Sequence, residues 1–276
     1  MPVVKLLSYN VKGLNSPVKR HKILKELKTY RTDIAFLQET HLTIESNIRL
    51  FSQDFPTWYY GDTISKRARG VAIGIAKGTR FKLFDRLTDP EGRFLFLKGK
   101  IEEMVCTLVN IYAPNDRPLK YMVEVLGKLR DFRVGKVILG GDLNLCMDPR
   151  LDKTSQIQGS RNTQLRKFKN SLYRSQLIDV WRTLNPGHRD YTFYSPVHGS
   201  YSRIDYFFLD HSLLEMVVET RIEAITSSDH APIGVSLKIA GNQKPNQTWR
   251  LNEGLLMEES SLARVKKGPR RILQDK

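Results

Sequence analysis

Side chains that handle protons, metals and phosphates recur at the ends of strand-like runs. Asn10, Glu39, Tyr112, Asp142, Asn144, Asp205, Asp229 and His230 all stand there or in the adjoining loops. The densest stretch is Val137-Ile138-Leu139-Gly140-Gly141-Asp142-Leu143-Asn144. Its three apolar residues read as a buried strand. Its two glycines let the backbone turn sharply and approach a neighbour closely. If the chain stays extended there, Asp142 and Asn144 point the same way. A carboxylate acceptor beside an amide donor can hold a water and a phosphate oxygen. Asp205 lies within the apolar run Arg-Ile-Asp-Tyr-Phe-Phe, where a carboxylate needs a partner. Each signal alone also has a plain structural reading. Gly, Asp and Asn form turns, Glu39 fits a solvated strand end, Tyr112 fits a rim aromatic, and Asp229-His230 fits a loop pair. In a sheet fold such strand ends can converge on one edge, where loops carry function.

The elements that must position them are legible as alternating runs. Residues 3–9 read as a strand ending at Asn10, and 33–37 as a second ending in Gln38-Glu39-Thr40-His41. Between them, Ser16 is a helix N-cap and Pro17 the first helical residue. That helix runs to about residue 30, with Ile23, Leu24 and Leu27 inward and its lysines and Arg20 outward. Strand signals follow at 58–61, 70–76, 80–87, 93–98 and 103–111. A helix fits 119–132, with Leu119, Met122, Val123, Leu126 and Leu129 at helical spacing. Residues 150–163 read as loop, 164–172 as helix, and 177–184 as either helix or strand. A hairpin is expected at 191–202, strands at 203–209, 216–225 and 233–239, and a loop at Ser227-Ser228-Asp229-His230-Ala231-Pro232. So many strands with helices near both ends predict two packed sheets flanked by helices. After residue 240 the composition turns polar and basic, so 1–240 is expected to be one domain and 241–276 a basic tail or linker.

The chain has 276 residues, 40% of them hydrophobic, which is enough for a core. Its 45 Lys and Arg against 29 Asp and Glu give a net charge of +16 and a pI of 9.8. That balance predicts a polyanionic partner such as nucleic acid or an anionic membrane. Cys106 and Cys146 make neither a zinc spacing nor a disulfide framework, so an intracellular, reducing location is expected. No signal peptide is read at the start, and no stretch is long enough to span a membrane.

The ordered set Asn, Gln-Glu-Thr, Tyr-Ala-Pro, Gly-Asp-x-Asn, Ile-Asp and Ser-Asp-His resembles the endonuclease/exonuclease/phosphatase superfamily over about residues 3–240. Residues 9–22, 36–42, 191–195 and 248–252 resemble the endonuclease domain of long interspersed element (non-LTR) retrotransposons. The resemblance implies an α+β, four-layer α/β-sandwich like deoxyribonuclease and exonuclease III, with mostly antiparallel sheets. It implies an Mg²⁺-dependent DNA endonuclease, with Mn²⁺ as a substitute, that nicks duplex DNA to leave a 3′-hydroxyl and a 5′-phosphate. Glu39 is then the metal ligand, with Asn10 orienting the metal shell or a phosphate oxygen and Asp229 contributing to the metal shell or bracing His230. His230 lies against the phosphate and is held by Asp205, acting as imidazolium or as general base. Asp142 orients or deprotonates water, and Asn144 and Tyr112 contact non-bridging oxygens. Thr192 and Ser202 on the hairpin, Ser228, Arg20, Lys66 and Arg67 are the DNA-contact candidates, and a minor-groove hairpin reads groove shape. A monomer without membrane contact is expected, with a reverse transcriptase domain in a longer protein. The rival readings are an apurinic/exonuclease III-like repair nuclease, a catalytically inactive DNA-binding remnant and a phospholipid or inositol phosphatase.

Overall fold

The structure is a computed structural model that describes residues 2–43, 49–61, 69–155 and 163–239. The chain divides into two units, Met1–Gly241 and Asn242–Lys276. The expected tail at 241–276 and the basic pair Lys66-Arg67 lie outside the described residues.

The elements run in the order β1 (Val3–Asn10), α1 (Pro17–Thr29), β2 (Ile34–Gln38), β3 (Thr57–Gly61), β4 (Val71–Ile75) and β5 (Phe81–Thr88). Next come β6 (Phe94–Ile101), β7 (Met104–Tyr112), α2 (Pro118–Phe132), β8 (Lys136–Asp142) and α3 (Thr163–Arg174). They continue with β9 (Leu177–Asp179), α4 (Val180–Leu184), β10 (Phe193–Ser195), β11 (Ser200–Ser202) and β12 (Asp205–Asp210). A 3₁₀ turn (His211–Met216), β13 (Val217–Ile222) and β14 (Ile233–Lys238) complete the order.

One sheet has the order β13-β14-β1-β2-β4-β3, the other β5-β6-β7-β8-β12-β9. Among the described residues each contains one parallel pair, β1 with β2 and β7 with β8, and is otherwise antiparallel. A helix makes each parallel crossover, α1 in the first sheet and α2 in the second. Alternating side chains then fill three apolar layers. Leu6, Phe36, Ile73, Leu97, Leu108 and Phe207 pack between the sheets. Leu7, Ala35 and Leu37 face the α1 residues Ile23 and Leu27. Val109, Leu139 and Phe208 face α2 and α3 through Met122, Leu126 and Phe168. Helix, sheet, sheet and helix therefore stack as the expected four-layer sandwich. β2 and β4 are buried at every residue because both faces are covered.

Beneath one edge, a polar tie joins the sheets. Gln38 Nε2 donates to Ser8 Oγ at 3.0 Å and to Asn110 Oδ1 at 2.8 Å. Asn110 Nδ2 donates to the carbonyls of Leu37 and Ala72, both at 2.9 Å. The two amides thus satisfy buried groups that would otherwise be costly between the layers.

Several expectations need correction. Gly140 and Gly141 do not turn the chain, because β8 continues through both to Asp142. They serve close approach instead. A Cβ on Gly141 would stand 2.0 Å from the Ile111 carbonyl oxygen, and one on Gly140 2.7 Å from the Phe207 ring. On α2, Val123 is exposed and Val125 is buried, since the inward face reads 122, 125, 126, 129 at helical spacing. Ser16 stands at the N-cap of α1 but makes no side-chain cap hydrogen bond. Residues 177–184 contain both of the alternatives, β9 and then α4, which starts where Asp179 caps the Arg182 amide.

Candidate active site

The parallel pairs place the site. β1 and β2 end together, with Asn10 opposite Gln38 and Glu39 next in the chain. β7 and β8 end together, with Tyr112 opposite Asp142. The antiparallel strands begin at the same rim: Asp205 opens β12 opposite Asp142, and His230 precedes β14. Each sheet therefore supplies half of one cluster.

His230 Nδ1 lies 2.9 Å from Asp205 Oδ2, and its Nε2 lies 3.8 Å from Asp142 Oδ2. Asn10 Nδ2 donates to Asp142 Oδ2 and to Glu39 Oε1, both at 2.9 Å. Its Oδ1 accepts the Lys12 amide at 3.1 Å. As placed, Asn10 therefore orients two carboxylates through its nitrogen. Phe193 packs on the imidazole, with ring centroids 4.8 Å apart. Thr192 Oγ1 accepts the amides of Ile204 and Asp205 at 3.1 and 3.2 Å and so fixes the start of β12.

Burial, followed by the charge of Asp205, raises the Asp142 carboxyl to about 7. Burial alone would lower the His230 imidazole, but Asp205 and Asp142 outweigh it and raise it to about 10. The arrangement is a buried imidazolium between two acids. Burial would likewise raise Glu39, yet hydrogen bonds from His41, Asn10 and Tyr112 and the charge of His230 lower it to about 2. Burial and the neighbouring Glu39 push the Tyr112 hydroxyl up, so it stays a proton donor.

Glu39 and His41 have left-handed backbones, with φ of 49° and 57°. Such a conformation costs about 1–2 kcal/mol in a non-glycine residue and persists where its surroundings over-determine it. Here the Glu39 carbonyl accepts the Gly13 amide at 2.7 Å, and the His41 amide donates to Arg69 at 2.7 Å.

Among the described residues, one cluster and the single carboxylate of Glu39 have cation-binding chemistry. Ligand atoms of Asp142, Asp205 and His230 lie within 4.8 Å of one another, but the imidazole there is hydrogen bonded to Asp205. Glu39 is an ionised carboxylate with part of its side chain open, which suits a hard cation that keeps most of its water. Oxygen donors of this kind fit Mg²⁺ or Mn²⁺ and not a soft metal.

The structure gathers Asn10, Glu39, Tyr112, Asp142, Asp205 and His230, and it redraws the surroundings. Asn144 has φ 49°, so it does not continue an extended strand beside Asp142. Its amide N–H donates to Asp142 Oδ1 at 2.9 Å, and its Nδ2 to the Ala113 carbonyl at 2.8 Å. Asp229 is paired with Lys12 at 2.7 Å, and it is Asp205 that braces His230. Ser228 Oγ accepts the His230 amide at 3.4 Å and donates to Asp229 Oδ1 at 3.3 Å. Thr192 and Ser202 are buried, so the hairpin's outer face is formed by other residues, such as Val197 and Tyr201. Arg20 donates to the carbonyls of Leu14 and Asn15 at 2.9 and 2.8 Å and braces the turn before α1. His41 and Phe193 were missed as site residues. Both lie within the motif stretches; the Phe193–His230 contact joins distant segments and leaves no mark in local spacing, while His41 stands two residues from Glu39, a spacing that could have flagged it.

Residues 7–230 match the Endonuclease/Exonuclease/phosphatase family. The Xenopus laevis "Transposon TX1 uncharacterized 149 kDa protein" is 24% identical over 255 residues, which is 91% of this chain and 19% of that protein. The chain thus spans about a fifth of that relative's length. The Exodeoxyribonuclease of Bacillus subtilis (strain 168) is 26% identical over 259 residues, covering 86% of this chain and 100% of that protein. Two solved structures share the fold at 19% identity. The AP endonuclease LMAP from Leishmania major has a TM-score of 0.70, covering 86% of this chain and 88% of its own. The Xenopus laevis APE2 catalytic domain has a TM-score of 0.69, covering 87% and 94%.

Proposed function

Because the chain belongs to the Endonuclease/Exonuclease/phosphatase family and has nucleases among its relatives, we propose that it is a Mg²⁺-dependent endonuclease that nicks duplex DNA. The reaction adds water to phosphorus and breaks the bond to the 3′ oxygen, leaving a 3′-hydroxyl and a 5′-phosphate. The observation that carries this reading is the cluster in which Asn10 bridges Glu39 and Asp142 while His230 stands between Asp142 and Asp205. Glu39 would hold the cation, which supplies positive charge to the phosphate when bound. Asp142, raised to about 7, suits the acceptance of the water's proton near neutral pH. His230 as imidazolium donates from Nε2 to a phosphate oxygen and offsets the charge that develops there. Asp205 holds its other nitrogen and fixes its orientation. Tyr112 donates its hydroxyl proton to a second oxygen. Asn144 steadies Asp142 through its backbone amide. The β10–β11 hairpin, joined to the site by the Phe193–His230 bridge, extends toward the DNA groove beside the cut. Action in the nucleus as part of a longer protein with a reverse transcriptase, as a monomer with respect to this domain, completes the proposal.

The test uses supercoiled plasmid and an oligonucleotide duplex with one abasic site. Mg²⁺-dependent conversion to open circles that a polymerase can extend supports the reading. Conversion should stop with EDTA and with His230→Ala. Strong preference for the abasic strand would instead assign a repair nuclease.

A further inference from the structure

The opposite end of the second sheet carries a feature the nuclease reading does not use. A cleft of about 780 Å³ opens where α2 enters β8, α3 enters β9 and β12 enters the 3₁₀ turn. That volume lies within the range of ligand clefts, roughly 300–1,000 Å³. Lys136 lines it and Asp142 ends the same strand, so the cleft stands about 20 Å from the catalytic rim at ~3.3 Å per residue. Its walls carry Arg133, Lys136, Arg174 and His211 against a single carboxylate, Asp210.

That carboxylate is already engaged. Asp210 is buried, accepts the Ser212 amide at 3.2 Å, and stands 3.5 Å from Arg133 Nη2 and 3.9 Å from Lys136 Nζ. Arg133 Nη1 also donates to the Ser175 carbonyl at 2.9 Å. Arg133 is thus held in place at the cleft wall with donors to spare, since a guanidinium has five N–H groups, and the Lys136 ammonium stands near it, partly open. Beside them, at the last turn of α3, stand the exposed Arg174 and Tyr173, the latter with 84% of its surface open. An exposed tyrosine next to fixed and free cations is the pairing that binds an unpaired nucleotide. The ring stacks on the base while the cations take the phosphates. A duplex hides its base faces and would leave the ring unused. An acidic peptide would use the cations but not the stacking face.

We infer that this cleft binds a short single-stranded nucleic acid segment, with phosphates on Arg133, Lys136 and Arg174 and a base on Tyr173. The site is separate from the catalytic rim and does not depend on the nuclease reading. The test is fluorescence anisotropy of labelled hexathymidylate and hexauridylate with the full chain in EDTA, so that no cleavage intervenes. Tyr173→Ala and Arg174→Ala, both changes at exposed positions, should each weaken binding by about tenfold, the size expected for one stacked base or one phosphate contact. Plasmid nicking in Mg²⁺ should be unchanged in both. A preference between the two oligomers would report whether the 2′-hydroxyl is read, and either preference agrees with the inference. Unchanged strand affinity in both variants would overturn it. So would a parallel loss of nicking, which would place the strand at the catalytic rim. Hexaglutamate or inorganic phosphate competing as well as the oligomer would reduce the cleft to a general anion site.

Discussion

Replacing Asp205 with asparagine removes one charge while keeping the shape, and its consequence can be worked from the geometry. His230 is pulled up to about 10 by Asp205 at 2.9 Å and Asp142 at 3.8 Å, against burial that pulls it down. Asp205→Asn leaves the burial and removes the nearer acid. The imidazole should then fall to about 6.5 or below. At pH 8 a group with that pKa is about 3% protonated, so nicking should drop about 30-fold from titration alone. Relative to the wild type the loss should shrink as pH falls to 6, while the wild type itself rises through about 7 as Asp142 ionises and then holds to 9. Stability should follow the same group. A raised imidazole contributes stability that is full below about 6.5 and lost as pH rises through about 10. The variant should therefore lose about 3–5 kcal/mol near neutral pH and lack that alkaline decline. Nicking rates across pH, urea unfolding and an NMR titration of the His230 ring measure all three. If His230 were the general base, lowering its pKa would speed nicking at pH 8. That result, or an imidazole still charged above pH 9 in the variant, would refute the reasoning.

Glu39→Gln should raise the Mg²⁺ concentration needed for half-maximal nicking by at least tenfold, read from a metal titration. Because Glu39 is lowered to about 2 from 4.5, its charge contributes about 3 kcal/mol above pH 4.5, lost as pH falls through about 2. The stability gap to the Gln variant should therefore narrow between pH 5 and pH 3 in urea titrations. Arg203 is 1% exposed and binds Asp152 at 2.9 Å and Asp179 at 2.7 Å. Arg203→Met takes the cation from Asp179 and leaves Asp152 with Arg182 at 2.6 Å, and should cost about 3–5 kcal/mol, while a loss under 1 would show that Arg182 and water compensate. Gly141→Ala should destabilise by at least about 2 kcal/mol and abolish nicking, because the new methyl meets the Ile111 carbonyl. Gly187→Ala, which meets open space, should leave the unfolding midpoint unchanged.

Much of this was readable in the sequence because strand ends announce themselves. Glu39, Tyr112 and Asp142 each follow an apolar run, and the rim geometry then brings them together. Asp205 was suspicious for the right reason: a carboxylate among Ile, Tyr and Phe needed a partner, and His230 is that partner. The failures share one cause. Gly140-Gly141 looked like a turn because local statistics favour one, while the actual demand came from Ile111 and Phe207 on neighbouring strands. Thr192 and Ser202 are contact candidates by resemblance alone, which carries no burial, and both are buried. The Lys12–Asp229 pair spans 217 positions and the Arg203–Asp152 pair 51, separations that no local pattern encodes.

The first sheet is sewn from both ends of the domain. Within it β1 pairs with β14, the last strand among the described residues, and His230 rides on the approach to that strand. A ribosome that has just finished β12 has therefore made Asn10, Glu39, Asp142 and Asp205 but has no means of closing the first sheet. The cluster is complete only when residues 230–238 emerge and pair beside β1, the first strand. A polypeptide halted before that point lacks His230, and with it the imidazole that stands between Asp142 and Asp205.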